Sequence, residues 1–414
     1  MYENLKQVLF KLDAEKAHNI VEFFLRKVAP LPLVQDLLAW QFVKCDERLA
    51  NTLDSVRFPN PVGVSAGFDK NATMLKGLGA LGFGFIEVGT ITQAPQSGNP
   101  KPRLFRFPQE HSLQNMMGFN NNGVSKIAKR LQKLYPLCLP IGANIGKNKI
   151  IAQSDSLQNY ENTLLEVLDL ADYFVFNVSS PNTPKLRDLQ NKGFVASLFK
   201  MARKHTQKPI FLKISPDMHT DDMLEVIESA IKHGCSGIIA TNTSIDYSLL
   251  KGAKSEGGIS GEALKERSRE VFESIAKEFF GKTLLISSGG IDSADEAYER
   301  IKMGACLVQI YTGLVYQGPS LPRRINEGIL ARMQADGFSH ISEAIGVSHT
   351  TKSHKNAKDS KSAKDKEQEI NITESAKAKS NAKATSSVAK QSKDSTKPKS
   401  PTKRTRASDD ETNA

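Results

Sequence analysis

Phe174-Val-Phe-Asn-Val-Ser-Ser-Pro-Asn-Thr-Pro-Lys-Leu-Arg-Asp-Leu-Gln190 begins as a short strand of aromatic and β-branched residues. At Asn177 it turns into a polar loop whose prolines forbid both strand and helix. The loop offers Asn177, Ser180, Asn182 and Thr183, hydroxyls and amides without charge. Such a set suits a planar, hydrogen-bonding ligand better than a phosphate or a metal. One loop of this kind is an ordinary capping loop; its weight comes from the other strand ends, which read alike.

Working outward, apolar runs with polar ends recur. Pro61–Ser65 ends in Ala66-Gly67-Phe68-Asp69-Lys70, Gly84–Val88 in Gly89-Thr90, and Pro140–Asn144 in Ile145-Gly146-Lys147-Asn148-Lys149. Downstream lie Ile210–Asp217, Gly237–Thr243, Leu284–Ile291 and Cys306–Gly313. Helical patterns over 124–134, 157–170, 192–204, 220–232, 262–279 and 293–302 separate them. With the opening stretch this makes eight strands, apolar throughout, as strands are when helices cover one face and a closed interior the other. The expected fold class is α/β, a (β/α)8 TIM barrel, which needs ~250 residues; the span 60–335 supplies them. Residues 91–122 have no helical period and are read as a hairpin-like insertion closing over a site. Gly77-Leu-Gly-Ala-Leu-Gly82 matches a dinucleotide fingerprint in letters only, since it ends a helix before a strand. Gly142–Lys147 is one spacer short of a phosphate loop and is followed by Asn148 in place of Ser or Thr.

The ends of the chain differ from its middle. Residues 1–45 read as helices: Asp13 caps Ala14–Val28, and Leu31–Val43 repeats the apolar stripe. Flanked by Arg26, Lys27 and Lys44, these two helices either pack on the barrel or lie on a membrane surface. From Ser348 on, aromatic and branched apolar residues nearly vanish. That segment holds 16 Lys and Arg against 9 Asp and Glu, so 16 − 9 = +7 of the formal +11 resides there. It cannot bury enough apolar surface to offset its ordering entropy, and a disordered tail over 348–414 is expected, either a solvated extension or a binder of anionic lipid or nucleic acid. Cys45, Cys138, Cys235 and Cys306 are far apart, which argues against a disulfide framework and a zinc site. Neither a signal peptide nor a run of roughly 18 apolar residues is found, and a reducing, cytoplasmic setting is expected.

The strand ends carry few ionisable groups. They lack the carboxylate pair of a glycosidase, a histidine beside the candidate nucleophile, and metal-spaced ligands. Chemistry on such a rim is carried by a cofactor. Ser288-Gly289-Gly290 and Tyr311-Thr312-Gly313 follow the last two strands, where barrels bind a phosphate. With the amide-rich rim they point to flavin mononucleotide (FMN), its ring bonded by Asn and Thr and Lys213 near the ring's electron-rich edge.

Ser65–Lys70, Asn115-Met-Met-Gly-Phe-Asn-Asn121, Asn144–Lys149, Asn177–Pro184, Lys213–Asp217, Thr241-Asn242-Thr243 and Gly257-Gly-Ile-Ser-Gly261, in this order, resemble the dihydroorotate dehydrogenases over residues 1 to about 335. Ser180 at the position of the base, and the helical extension, resemble the quinone-dependent class 2. The resemblance implies oxidation of (S)-dihydroorotate to orotate in pyrimidine biosynthesis, with Ser180 as the catalytic base and Thr183 and Phe119 shaping the proton's path. It implies substrate binding by Lys70, Asn115, Met116, Met117, Gly118, Phe119, Asn177, Asn182, Asn242 and Thr243. It implies FMN binding by Ala66, Gly67, Phe68, Asp69, Lys70, Thr90, Asn144, Asn177, Lys213, Thr241, Gly261, Gly290, Tyr311 and Thr312. A membrane quinone would meet His18, Arg106 and Tyr311. The implied organisation is a helical membrane and quinone domain over 1–45, a catalytic barrel over 46–340 and the tail. The implied setting is a monomer held peripherally at the cytoplasmic face of the cell membrane, with no nucleic acid in its core function. The other enzyme considered is an FMN barrel reductase akin to dihydrouridine synthases, which expects a cysteine acid at a strand end. A nucleic-acid-binding module on an inactive barrel would leave the flavin residues idle and the protein colourless.

Overall fold

The computed structural model describes residues 2–349. Three helices open it: α1 (Tyr2–Phe10), α2 (Ala14–Phe23) and α3 (Pro32–Phe42). Asp13 accepts the N–H groups of Glu15 and Lys16 and so starts α2, as its sequence position predicts. A π-helical turn, Phe24–Val28, extends α2, and Pro32 begins α3 at a position where a missing N–H costs nothing. The sequence reading has two helices here; α1 is the addition, nine residues too short for a clear apolar period. In α1 and α3 no residue is fully buried, and Val8, Leu33, Leu37 and Trp40 stand well out into solvent, Trp40 at 76% exposure.

The eight expected strands are β1 (Val62–Val64), β2 (Phe85–Ile91), β3 (Ile141–Ile145), β4 (Tyr173–Asn177), β5 (Ile210–Lys213), β6 (Gly237–Ala240), β7 (Leu284–Ser288) and β8 (Leu307–Ile310). Each pairs in parallel with the next, and β8 returns to β1 to close the barrel. All their residues are buried except Leu284, which is why the strands carry no polar alternation. β2 runs three residues further than its apolar run suggests, because it carries Gly89, Thr90 and Ile91 on into the site.

The lower end of the barrel is filled by aromatic rings. Gly63, Gly142 and Gly237 are the register partners of Phe85, Tyr173 and Phe211. A β-carbon at these glycines would lie 2.2, 2.1 and 2.7 Å from the respective ring, so the missing side chains are what make room. Phe58, on a short hairpin of Asn51–Leu53 with Val56–Phe58, packs edge-on against Phe85 at 5.4 Å and plugs this end.

The insertion forms the expected hairpin, Leu104–Phe107 with Ser112–Asn115, and acquires a third strand, Gly258–Gly261, from after β6. Of the expected tail, Ser348 and His349 are described; His349 stacks on Phe280 at 4.8 Å and bonds the Met303 carbonyl at 2.8 Å. The remainder of 348–414 lies outside the described residues. No helix among the described residues is long and apolar enough to cross a membrane.

Candidate active site

The upper ends of the strands bring their polar side chains into one buried network. Thr90 Oγ1 donates to Asn144 Oδ1 at 2.6 Å, and Asn177 Nδ2 reaches both Thr90 Oγ1 (3.0 Å) and Asn144 Oδ1 (3.2 Å). Beneath them lies Glu87, fully buried, accepting from Asn144 Nδ2 at 2.7 Å and from Gln309 Nε2. Lys213 Nζ donates to Ser65 Oγ at 3.0 Å and stands 3.8 Å from Glu87. Burial holds the Lys213 ammonium below its ordinary range, opposed by Glu87. A carboxylate so placed survives only with partners. Glu87 and Gln309 are absent from the sequence reading; the signal was a single polar residue inside each of two apolar strands.

Above this floor a cavity opens. Ala66, Gly67, Lys70, Thr90, Asn177, Lys213 and Thr241 line it with Asn115, Met117, Gly118, Phe119, Ser180, Asn182, Asn242 and Thr243. Asn182 Nδ2 donates to Asn115 Oδ1 at 3.0 Å, and Asn242 Nδ2 to Ser179 Oγ at 3.0 Å and Asn177 Oδ1 at 3.2 Å. The insertion therefore meets the Ser180 loop directly over the strand ends. The segment after its second strand turns on Gly118 (φ +69°), where a β-carbon would lie 2.8 Å from Asn99, so the sharp turn requires glycine. Asn182 Oδ1 and Thr183 Oγ1 are buried without a hydrogen-bond partner among the described residues. Of the two, Asn182 lines the cavity and Thr183 lies behind its wall.

Lys70 Nζ donates to the Gly67 carbonyl at 2.6 Å, and burial pushes its ammonium down to about 8, against the pull of Glu15 and Asp69. Asp69 lies beneath, its carboxylate taking the N–H groups of Asn71, Thr73 and Met74 and bracing the loop instead of facing the cavity. Met116, Phe68 and Asn144 also lie off the cavity wall, Asn144 as part of the floor.

On the far side, Gly261, Ser288, Gly289, Gly290, Tyr311 and Thr312 form the wall. Gly289 and Gly290 have φ of +110° and +70°, and a β-carbon on Gly290 would lie 2.4 Å from Lys265 Cα. Ser260 Oγ and Thr312 Oγ1 are 2.9 Å apart. Neutral amides below, a lysine at the edge and a bare glycine turn at one end fit a flavin mononucleotide. Among the described residues no cluster of three or more His, Cys, Asp or Glu could hold a metal.

The cavity runs outward to α2. His18 packs edge-on against Phe68 at 5.4 Å, and Phe68 against Tyr311 at 5.4 Å, an unbroken aromatic row. Burial, with Lys70 nearby, pushes the His18 imidazole down to about 3 and keeps it neutral. Arg106 is elsewhere: its guanidinium donates to the Leu9 and Leu12 carbonyls and covers the Phe10 ring at 4.7 Å, joining the insertion to α1. Glu15 of α2 is gripped by Arg103 of the insertion at 2.8 and 3.1 Å.

The family model described as dihydroorotate dehydrogenase matches residues 48–333. A dihydroorotate dehydrogenase (quinone) of a Nitratiruptor species is 52% identical over 346 residues, covering 84% of this chain and 99% of that protein. The protein of the same name from Helicobacter acinonychis is 50% identical with the same coverage. Among solved structures, DHODH of Eimeria tenella in complex with ferulenol aligns with a TM-score of 0.70 at 33% identity, over 79% of this chain and 99% of that one.

Proposed function

The chain belongs to the dihydroorotate dehydrogenase family and oxidises dihydroorotate in pyrimidine biosynthesis; from that premise we propose that it does so with FMN as cofactor, Ser180 as base and a membrane quinone as electron acceptor. The observation that carries the reading is a single cavity. It joins Ser180, Asn115, Asn182, Asn242, Thr243 and Lys70 to Lys213 and the Gly289–Gly290 turn.

The amides of Asn115, Asn182 and Asn242 would hold the substrate's ring, and Lys70 its carboxylate. Ser180 Oγ accepts the Asn182 N–H at 3.3 Å, which orients the hydroxyl. A serine hydroxyl is a weak base, so its proton must move on, and the unpartnered hydroxyl of Thr183, on the same loop, is the group suited to take part. The insertion, with Phe119 on the cavity wall, covers these groups and excludes bulk water. FMN would rest its phosphate on Gly289, Gly290 and Thr312 and its ring on Thr90, Asn177, Thr241 and Lys213, supplying a two-electron acceptor when bound. Quinone entry past His18 and Tyr311 is supported by their place on the cavity wall, where Phe68 packs behind both, and peripheral contact at the cytoplasmic face of the cell membrane by the apolar residues that α1 and α3 leave exposed. The reading takes the protein as a monomer of three parts: helices 1–45, the barrel 46–340 and the tail. The cavity wall includes no cysteine, which disfavours a dihydrouridine synthase-like reductase.

The test is anaerobic mixing of purified protein with dihydroorotate while following flavin absorbance. Bleaching that recovers on adding quinone, and not NAD or fumarate, is expected. Ser180→Ala should bleach about 10² to 10⁴ times more slowly, the range for a lost general base. Bound flavin that dihydroorotate cannot bleach overturns the mechanism.

A further inference from the structure

Below the Gly289–Gly290 turn lies a charged cluster that the cavity does not expose. Arg300, on the helix Ala294–Lys302, is wholly buried. Its Nε donates to Glu296 Oε1 at 2.6 Å, Nη1 to Ser287 Oγ at 3.2 Å, and Nη2 to Ser268 Oγ at 2.9 Å and the Lys265 carbonyl at 3.0 Å. Ser268 Oγ in turn lies 2.8 Å from the Gly289 carbonyl oxygen and 2.9 Å from that of Lys265, which share its one proton. One guanidinium thus ties three pieces together: the end of β7, the start of the helix Lys265–Phe279, and, through one hydroxyl, the backbone of the turn.

At this depth Arg300 and Glu296 form a buried pair, and Glu296 also receives Arg269, whose side chain is 33% exposed and reaches outward to the largely exposed Glu266. A guanidinium buried this way keeps its place only with its hydrogen bonds made, so the groups it bonds are held firmly. The turn directly above has two left-handed glycines and is pressed flush onto Lys265, leaving its N–H groups for a ligand.

We propose that Arg300 is a positioning residue for a phosphate monoester on the Gly289–Gly290 turn, and that it sets this chain's selectivity for phosphorylated flavin over free flavin. The proposal rests on the FMN reading above. Arg300 acts through Ser268 and Ser287, which hold the backbone of the turn in place for a phosphate, and leaves the ring site unaffected.

The test uses the whole chain, stripped of flavin and titrated separately with FMN and riboflavin by quenching of flavin fluorescence. Wild type should bind FMN far more tightly than riboflavin. Arg300→Met should weaken FMN by about tenfold or more, the scale of a lost charge-assisted contact, with riboflavin affinity nearly unchanged. Arg300→Lys keeps the charge without the fork and should fall between. Ser268→Ala, which cuts the link to Gly289 with little change of volume, should also lower the FMN to riboflavin ratio, and it decides the matter if Arg300→Met fails to fold. Equal weakening of both ligands, or an unchanged ratio in the folded variants, overturns the proposal. Wild type that fails to bind FMN overturns the cofactor reading and the proposal with it, an outcome visible before any variant is made.

Discussion

Arg187 Nη1 lies 2.7 Å from Asp217 Oδ2, and the same guanidinium donates to the carbonyls of Ser179 at 3.0 Å and Thr243 at 2.9 Å. The pair therefore pins the loop that carries Ser180 to the loop that carries Thr243. Asp217 strengthens the second attachment by accepting Ser244 Oγ at 2.6 Å and the Ile245 N–H at 3.0 Å. Arg187→Met should slow flavin reduction by dihydroorotate about 10²-fold, since an ångström of misplacement at a reacting group has that effect. Flavin content and reoxidation by quinone should stay as in wild type. Stopped-flow measurement of the two half-reactions checks this; equal rates of reduction in variant and wild type would dismiss the clamp.

Lys70 links protonation to both binding and stability. Burial takes its ammonium from 10.5 to about 8. Between these values the folded chain has released a proton that the unfolded chain retains, so the contribution of Lys70 to stability rises with pH across that window. Orotate affinity should run the opposite way, falling once pH passes about 8 because the carboxylate loses its ammonium. Lys70→Arg should hold affinity level over the same range. Titrating orotate against the bound flavin's spectrum decides it; a flat wild-type curve is the failing result.

Glu15 and Arg103 couple α2 to the insertion. Burial pushes the Glu15 carboxyl up, but Arg103 and Lys101 outweigh it and hold it below the usual range. Its stabilising effect is then full above pH 4.5 and lost as pH falls through the lowered value. Glu15→Gln should lower stability by about 2 kcal/mol near neutrality and flatten the acid limb, as read by thermal unfolding at stepped pH. Identical acid limbs for variant and wild type would remove Glu15 from the account.

The exposed apolar face invites a direct assay. Leu33 and Trp40 are 86% and 76% exposed. Replacing Leu33, Leu37 and Trp40 together by serine should reduce retention on anionic vesicles and activity with a long-tailed quinone. Activity with a water-soluble acceptor should be unchanged. Full vesicle retention by the triple variant contradicts a membrane role for this face.

The barrel was legible because its signal is repeated: eight apolar runs with polar ends leave little freedom in topology. The site was legible where motifs cluster at strand ends, as at Asn177–Asn182. Glu87 and Gln309 escaped because each is a lone polar letter among apolar ones, and only the closed barrel brings β2 and β8 within reach of Lys213. The strand Gly258–Gly261 escaped for a related reason: its partner, Ser112–Asn115, lies far away in sequence, and two glycines weaken its propensity. Arg106 and Asp69 differ from these: their side chains bond backbone groups, Arg106 the Leu9 carbonyl and Asp69 the Thr73 N–H.

The paired glycines and rings at the closed end of the barrel constrain how the sequence can drift. At Gly63, Gly142 and Gly237 the first added carbon meets a ring belonging to the neighbouring strand. If the ring shrinks first, a void opens in a close-packed layer. Neither member of a pair can be exchanged ahead of the other without a poorly folded intermediate. Lineages should therefore inherit these pairs whole or replace them in tandem.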